Sequence, residues 1–326
     1  MNNDFLTPVS QFPENISIKY DDKLMLFGSC FSENIGDKLK QLKFNVIINP
    51  FGILYNPLSI SNNMRSLIIN DIQEKEKLFK HNDLWHSWNH HGCFSNMDID
   101  LTYSKITRSF NAAAKAIKTV DYLIITFGTS FIYRLSKSNK VVANCHKIPS
   151  DQFIRERLSP KLIISEYSDI IESLKKINPG IKIIFSVSPI RHMKDGAHQN
   201  QLSKSSLLLS IDALCEQNKD CYYFPSYEII MDELRDYRFY KDDMLHPSQQ
   251  AVNYIWDKFK EKCISKLSYD TIYQIEKLNQ SINHKPLNPE SKKHKEFKAK
   301  QYIFCKSLSD KYNNIDFTNE LDYFRD

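Results

Sequence analysis

Lys23-Leu24-Met25-Leu26-Phe27-Gly28-Ser29 is followed by Cys30-Phe31-Ser32 and then by apolar Ile35, Leu39 and Leu42. An apolar run of strand length meets a Gly-Ser turn, and the spacing beyond it predicts a helix over Ser32 to Leu42. The unit recurs along the chain. Asn45 to Ile48 runs into Asn49-Pro50-Phe51-Gly52 ahead of a helix over Pro57 to Ile69, and Tyr122 to Phe127 ends in Gly128-Thr129-Ser130. Ile181 to Val187 ends in Ser188-Pro189, and Cys221 to Phe224 forms the last strand. Helices over Thr102 to Val120, Pro160 to Ile177 and Asn200 to Glu216 fill the intervals. Phe131 to Arg134 with Val141 to Ala143 reads as a hairpin. Asp83 to Ser95, which holds Trp85, His86, Trp88, His90 and His91 without a regular period, reads as a loop. Buried short strands alternating with amphipathic helices predict an α/β fold: a three-layer α/β/α sandwich on a central parallel sheet, with functional loops at the carboxyl ends of its strands. From Tyr269 the strands stop. Residues 1–268 are thus expected to form the main α/β domain, and 269–326, broken by Pro286 and Pro289, a polar and mostly helical C-terminal extension.

Composition narrows the function classes. The 326 residues are 41% hydrophobic and 25% charged, as in a globular chain with ample length for a core. A balance of 44 Lys and Arg against 39 Asp and Glu, +5 in all, demands no nucleic acid or anionic membrane. The Lys-rich stretch from Lys285 to Lys300 reads as a solvated helix face, so no nucleic-acid partner is expected. No apolar stretch approaches the roughly 20 residues that span a bilayer. Met1 to Tyr20 lacks a basic start and an apolar run, so no signal peptide is expected. The 7 Cys, at 30, 93, 145, 215, 221, 263 and 305, never form a C-x-x-C pair, which suggests reduced thiols and a cytoplasmic location.

Ser29, directly after a strand and before a helix, either caps that helix or acts as a nucleophile at the sheet's carboxyl edge. A partner for the second role lies late in the chain, where Asp243-Met244-Leu245-His246-Pro247 precedes a helix. A serine hydroxyl is a weak nucleophile at neutral pH. His246 would accept its proton, and Asp243 would hold the imidazole tautomer and stabilise its cation.

Phe27-Gly28-Ser29-Cys30-Phe31-Ser32 resembles the signature of the GSCFA family, a branch of the SGNH (GDSL-like) hydrolase superfamily, with Ser32 in place of the final Ala. Asn49-Pro50-Phe51-Gly52, Trp85-His86-Ser87-Trp88, Phe127-Gly128-Thr129, Asn144-Cys145-His146-Lys147, Ser188-Pro189-Ile190-Arg191-His192 and Tyr227-Glu228 through Pro247 resemble further blocks of that family, in its order. The resemblance implies a flavodoxin-like sheet, with Ser29 as nucleophile and its own N–H in the oxyanion hole. It also implies His246 with Asp243 as the base pair, and Gly52 as a second N–H donor. The third block departs from the superfamily's G-x-N-D: Gly128-Thr129-Ser130-Phe131 lacks the Asn. Losing such a donor costs on the order of 3 kcal/mol of transition-state stabilisation, so either Thr129, Ser130 or Asn144 substitutes or the enzyme is slow. Gly128, Thr129, Asn144 and His146 complete the expected oxyanion and substrate contacts.

Cys30 is a rival nucleophile, because a thiol needs less activation. Ser29 is preferred here as the residue directly after the glycine. His86, His90, His91, Cys93, Cys145, His146 and His192 invite a metal, but no H-E-x-x-H or C-x-x-C pattern is present, so none is expected. Trp85 and Trp88 are equally readable as core or as a platform for substrate. The expectation is a cofactor-free esterase releasing a short acyl group, such as acetyl, from a small-molecule or glycan ester. An O-acyltransferase with the same trio is the near alternative. A non-catalytic binding protein on the same scaffold is the distant one.

Overall fold

The computed structural model describes residues 7–325. The first residues of the segment read as carrying no signal peptide, 1–6, lie outside the described residues. Apolar β1 (Lys23–Gly28) leads through Ser29 into α1 (Cys30–Gln41), which begins two residues before the sequence expectation. β2 (Asn45–Ile48) and α2 (Pro57–Ile69) follow, the helix capped by Asn56 and opened by Pro57. Asp83 to Ser95, expected as a loop, contains β4 (Leu84–His86), which pairs antiparallel with β3 (Phe79–His81) just ahead of it. α3 (Ile99–Ala116) and β5 (Tyr122–Phe127) come next. The expected hairpin, β6 (Phe131–Leu135) with β7 (Val141–Val142), gains a partner that sequence did not suggest, β8 (Phe153–Arg157). The chain continues through α4 (Pro160–Ile177), β9 (Lys182–Val187), α5 (Gly196–Gln217) and β10 (Cys221–Phe224). It closes with the short α6 (Ser226–Glu228), α7 (Gln249–Cys263), α8 (Tyr269–Asn283), α9 (Lys292–Lys311) and α10 (Thr318–Phe324).

The central sheet is five-stranded and parallel in the order β10-β9-β5-β1-β2. Alternation along each strand sends Met25, Phe27, Leu123, Ile125, Ile183 and Phe185 to one face, where α2, α3, α4 and α5 cover them. Leu24, Leu26, Tyr122, Ile124 and Ile184 point to the other face, under α1 and α7. Ile272, Ile275 and Leu278 of α8, Cys305 and Leu308 of α9, and Phe324 of α10 join this second cluster. The helical extension thus buries apolar surface against the layer that carries α1. At roughly 25 cal/mol per Å² of apolar surface, such burial is what holds otherwise polar helices in place.

The strand order reverses between β1 and β5, and in open α/β sheets a crevice forms at that point beyond the carboxyl ends. Gly28 closes β1 there. Its φ is +144°, and a Cβ on it would lie 2.2 Å from the Thr126 carbonyl oxygen and 2.7 Å from Ser32 Oγ. Only glycine lets β1 and β5 approach this closely as the chain turns into α1.

Candidate active site

The loops after β1, β2, β5 and β9 and the loop before α7 converge on a cavity of about 470 Å³. Its lining includes Cys30, Tyr55, Asn56, Thr129, Asn144, His192 and His246, with Phe131, Tyr133 and Arg155 contributed by the small antiparallel sheet.

The Asp243–His246 pair is formed. The Asp243 carboxylate accepts the Leu245 and His246 backbone N–H groups, both at 2.9 Å, and lies 2.6 Å from His246 Nδ1. These two N–H groups and the imidazole hold the Asp243 carboxyl down at about 2. With Nδ1–H donated to the carboxylate, Nε2 is left as the acceptor, the tautomer this network selects. The loop is pinned by Lys241 N donating to the His246 carbonyl at 2.7 Å and Ser248 N donating to that of Phe239 at 2.8 Å. The His246 side chain is 42% exposed and so reachable by water.

Ser29 stands where the sequence puts it, directly after β1 and ahead of α1. It is fully buried, and its Oγ accepts the Phe31 N–H at 3.3 Å as the N-cap of α1. Its hydroxyl does not line the cavity. That hydrogen bond is the helix cap the sequence also allows. Cys30, the first residue of α1, is half-buried and shares the cavity with His246. Burial pushes the Cys30 thiol up; the backbone N–H groups of Cys30 and Phe31 and the Lys241 cation pull against that, while Glu33 adds to it. The net shift is upward, so the thiol rests protonated and needs a base.

The expected oxyanion donors are largely committed. Gly52 N–H donates to the Asn49 carbonyl at 2.7 Å in a turn with φ +75°, packed against His91 and Cys93. Gly52 is therefore a turn residue outside the cavity lining. The Gly128 and Thr129 N–H groups both go to the Tyr55 carbonyl, at 2.8 and 2.9 Å. Thr129 Oγ1 accepts the Phe131 N–H and pairs with Ser203, while Ser130, also bonded to Ser203, is buried. Asn144 is a better candidate. Its Oδ1 accepts the His146 N–H at 2.7 Å, which leaves its NH2 uncommitted at the cavity. Asn56, unnoticed in the sequence, has the same arrangement: Oδ1 accepts Ser59 N–H at 2.8 Å and caps α2, and the NH2 has no acceptor among the described residues. Its position ahead of Pro57 was the available signal, one that reveals the cap without revealing the cavity.

His146 lies outside the lining. Its Nε2 meets the Ser87 carbonyl at 2.8 Å, its ring sits 4.4 Å from that of His86, and burial pushes it down to about 4. Trp88 stacks on Phe79 at 4.0 Å in the same side cluster, outside the cavity lining. Among the described residues no three His, Cys, Asp or Glu side chains are grouped to hold a metal ion. No described helix is long and apolar enough to cross a membrane.

Beneath the cavity lies a group that sequence reading passed over. Lys204 of α5 is fully buried and donates to the carbonyls of Gly128 at 2.7 Å and Ser188 at 2.6 Å, tying together the ends of β5 and β9. Burial pushes its amine down to about 7. His192 is pushed down to about 3, by burial first and then by Lys204, and is neutral.

The GSCFA family matches residues 23–259, and the GSCFA domain protein C-terminal domain matches residues 275–326. No curated protein matches the chain. Among solved structures, an acetyl xylan esterase (Est2A) from the rumen bacterium Butyrivibrio proteoclasticus is 14% identical with a TM-score of 0.37, the match covering 75% of this chain and 65% of that one. A family two carbohydrate esterase from Clostridium thermocellum, in complex with cellohexaose, is 11% identical with a TM-score of 0.35 and the same 75% and 65% coverage. A carbohydrate esterase family 3 protein from Talaromyces cellulolyticus is 10% identical with a TM-score of 0.36, covering 78% and 99%. The chain thus spans under two thirds of the first two of these proteins.

Proposed function

The chain belongs to the GSCFA family, and we propose that it is an SGNH-type hydrolase of short acyl esters whose nucleophile is Cys30, in place of the Ser29 that the family resemblance implies. One observation carries the reading: Cys30, at the N-terminus of α1, and His246, oriented by Asp243, line one cavity, while Ser29 is buried as a cap.

In the proposed reaction His246 Nε2 takes the Cys30 proton as the sulfur attacks the ester carbonyl carbon. The oxyanion that forms faces the N-terminal end of α1, where the Cys30 N–H is not consumed within the helix, and the NH2 groups of Asn56 and Asn144. The tetrahedral intermediate collapses to an acyl-Cys30 thioester. His246 returns its proton to the departing alcohol, whose C–O bond breaks. A water then attacks the thioester with His246 again as base, releasing the carboxylic acid and restoring the thiol. Hydrolysis is favoured over acyl transfer because the exposed His246 is open to water. A cavity of about 470 Å³ suits a short acyl group with one small alcohol such as a sugar residue.

The test compares wild type, Cys30→Ala, Ser29→Ala and His246→Ala in turnover of an aryl acetate, with mass spectrometry of protein treated separately with iodoacetamide and a fluorophosphonate. Iodoacetamide labelling at Cys30, and loss of turnover in Cys30→Ala but not in Ser29→Ala, is the expected result. Fluorophosphonate labelling at Ser29, with turnover intact in Cys30→Ala, would return the nucleophile to Ser29. A folded wild type that neither labels nor turns over any ester would leave a binding protein on a hydrolase scaffold.

A further inference from the structure

The lining of the cavity is unbalanced in charge. Arg155, Arg191 and Lys194 border it, and no Asp or Glu does. Arg155 is neutralised from behind, its Nε bonded to Asp195 at 2.9 Å and its guanidinium set over Phe131 and Tyr133. The other two are not neutralised. Lys194 Nζ donates at 2.7 Å to the Tyr133 hydroxyl and forms no ion pair with a carboxylate among the described residues, and neither does Arg191. At Cys30 the Lys241 cation acts against the Glu33 carboxylate, which is the stronger of the two there. One thiol and one histidine facing this space feel these cations: after burial, Lys194 and Arg155 act on Cys145, and Lys204 and Arg155 on His192. Phe131, Ile190, Met193 and Leu245 make the remaining wall apolar. A cavity whose rim carries Arg191 and Lys194 without ion-pair partners, and whose lining holds no carboxylate, concentrates anions, and its low-dielectric walls strengthen that field.

We propose that the substrate is an anionic ester, carrying a carboxylate or phosphate that Arg191 and Lys194 receive while its acyl carbon stands at Cys30. This rests on the ester-hydrolase reading above and narrows it. A neutral acetyl sugar leaves both cations without a counter-charge. The anion belongs either to the acyl part, as in the half-ester of a dicarboxylic acid, or to the alcohol part, as in an acylated uronic acid. Both place one negative charge within a few bonds of the scissile carbonyl.

The experiment measures kcat/KM for two matched pairs: a 4-nitrophenyl adipate half-ester against 4-nitrophenyl hexanoate, and an O-acetylated methyl glucuronoside against the O-acetylated methyl glucoside. Each pair is run at about 20 mM and about 500 mM NaCl, on wild type, Arg191→Gln and Lys194→Gln. The expected result is a preference of about tenfold or more for the anionic member of one pair at low salt, shrinking at high salt where the Debye length falls to a few ångströms. Each substitution should reduce that ratio. The pair that shows the preference tells which side of the ester bears the charge. Equal kcat/KM within both pairs at both salt concentrations, with Cys30-dependent turnover present, overturns the charge inference and leaves the hydrolase reading standing. No turnover of any of the four esters by folded wild type removes both.

Discussion

Lys204→Met is the most informative single change outside the reacting groups, because its consequences follow from one buried amine. In the folded chain burial holds that amine at about 7, against an ordinary 10.5. Between those two values the unfolded chain carries the proton and the folded chain does not, so stability rises with pH across the window and is flat below about 7. A drop of 10.5 to about 7, at about 1.4 kcal/mol per pH unit, amounts to about 5 kcal/mol at full extent. The carbonyls of Gly128 and Ser188, at 2.7 and 2.6 Å, work in the opposite direction by holding the proton on, so about 5 kcal/mol is the upper end. Methionine keeps the volume and apolar stem but leaves both carbonyls without a donor, a loss of about 1–3 kcal/mol each. The two effects nearly offset below pH 7, where wild type still carries its buried charge. Above it they separate, and the variant should be less stable by an amount that grows with pH up to the full loss of the two hydrogen bonds. Urea unfolding at intervals from pH 6 to pH 10 on both proteins reads this out. A difference in unfolding free energy that stays constant across that range would refute the assignment of the pH dependence to Lys204.

Ser29→Ala removes the hydroxyl that caps α1, so about 1 kcal/mol of stability should be lost in denaturant melts, with ester turnover kept within a few-fold. Asp243→Asn leaves an acceptor for the Leu245 and His246 N–H groups but removes the anion facing Nδ1, so kcat/KM should fall about 10²- to 10⁴-fold in steady-state assays with little change in melting temperature. Asn56→Asp preserves an oxygen to cap α2 at Ser59 while replacing the NH2 with oxygen, and Asn144→Asp does the same at His146. Each should lower kcat by about 10- to 1,000-fold while thermal unfolding barely moves, and an unchanged kcat in both would eliminate these amides as oxyanion donors.

What the sequence made legible follows from local rules. Apolar runs such as Tyr122–Phe127 are buried on both sides wherever they occur in a covered parallel sheet, and a glycine at φ +144° had to stand where β1 meets β5. The five parallel strands, the Asp243–His246 pair and the cavity's place at the strand ends were readable for that reason. β8 was not: Phe-Ile-Arg-Glu-Arg has exposed charged positions because it is an edge strand with only β6 beside it, and nothing in its own composition says so. With β8 came Arg155, and with it a wall of the cavity that local reading does not supply.

The proposed nucleophile turns on a shift of two residues. A helix starting at Ser32 leaves Ser29 in a turn with its hydroxyl free, whereas a helix starting at Cys30 makes Ser29 its cap and bends that hydroxyl back onto the Phe31 N–H. Helix ends are set by which side chain satisfies the unpaired N–H groups of the first turn. Ser29 does this well because it is a serine, and the same chemistry that would suit it to attack a carbonyl suits it to cap. Cys30, a poor cap with a soft sulfur, is released to face the cavity. Capping and catalysis therefore compete for the same kind of residue at the end of β1, and a chain that places Ser and Cys in succession there can divide the two tasks between them.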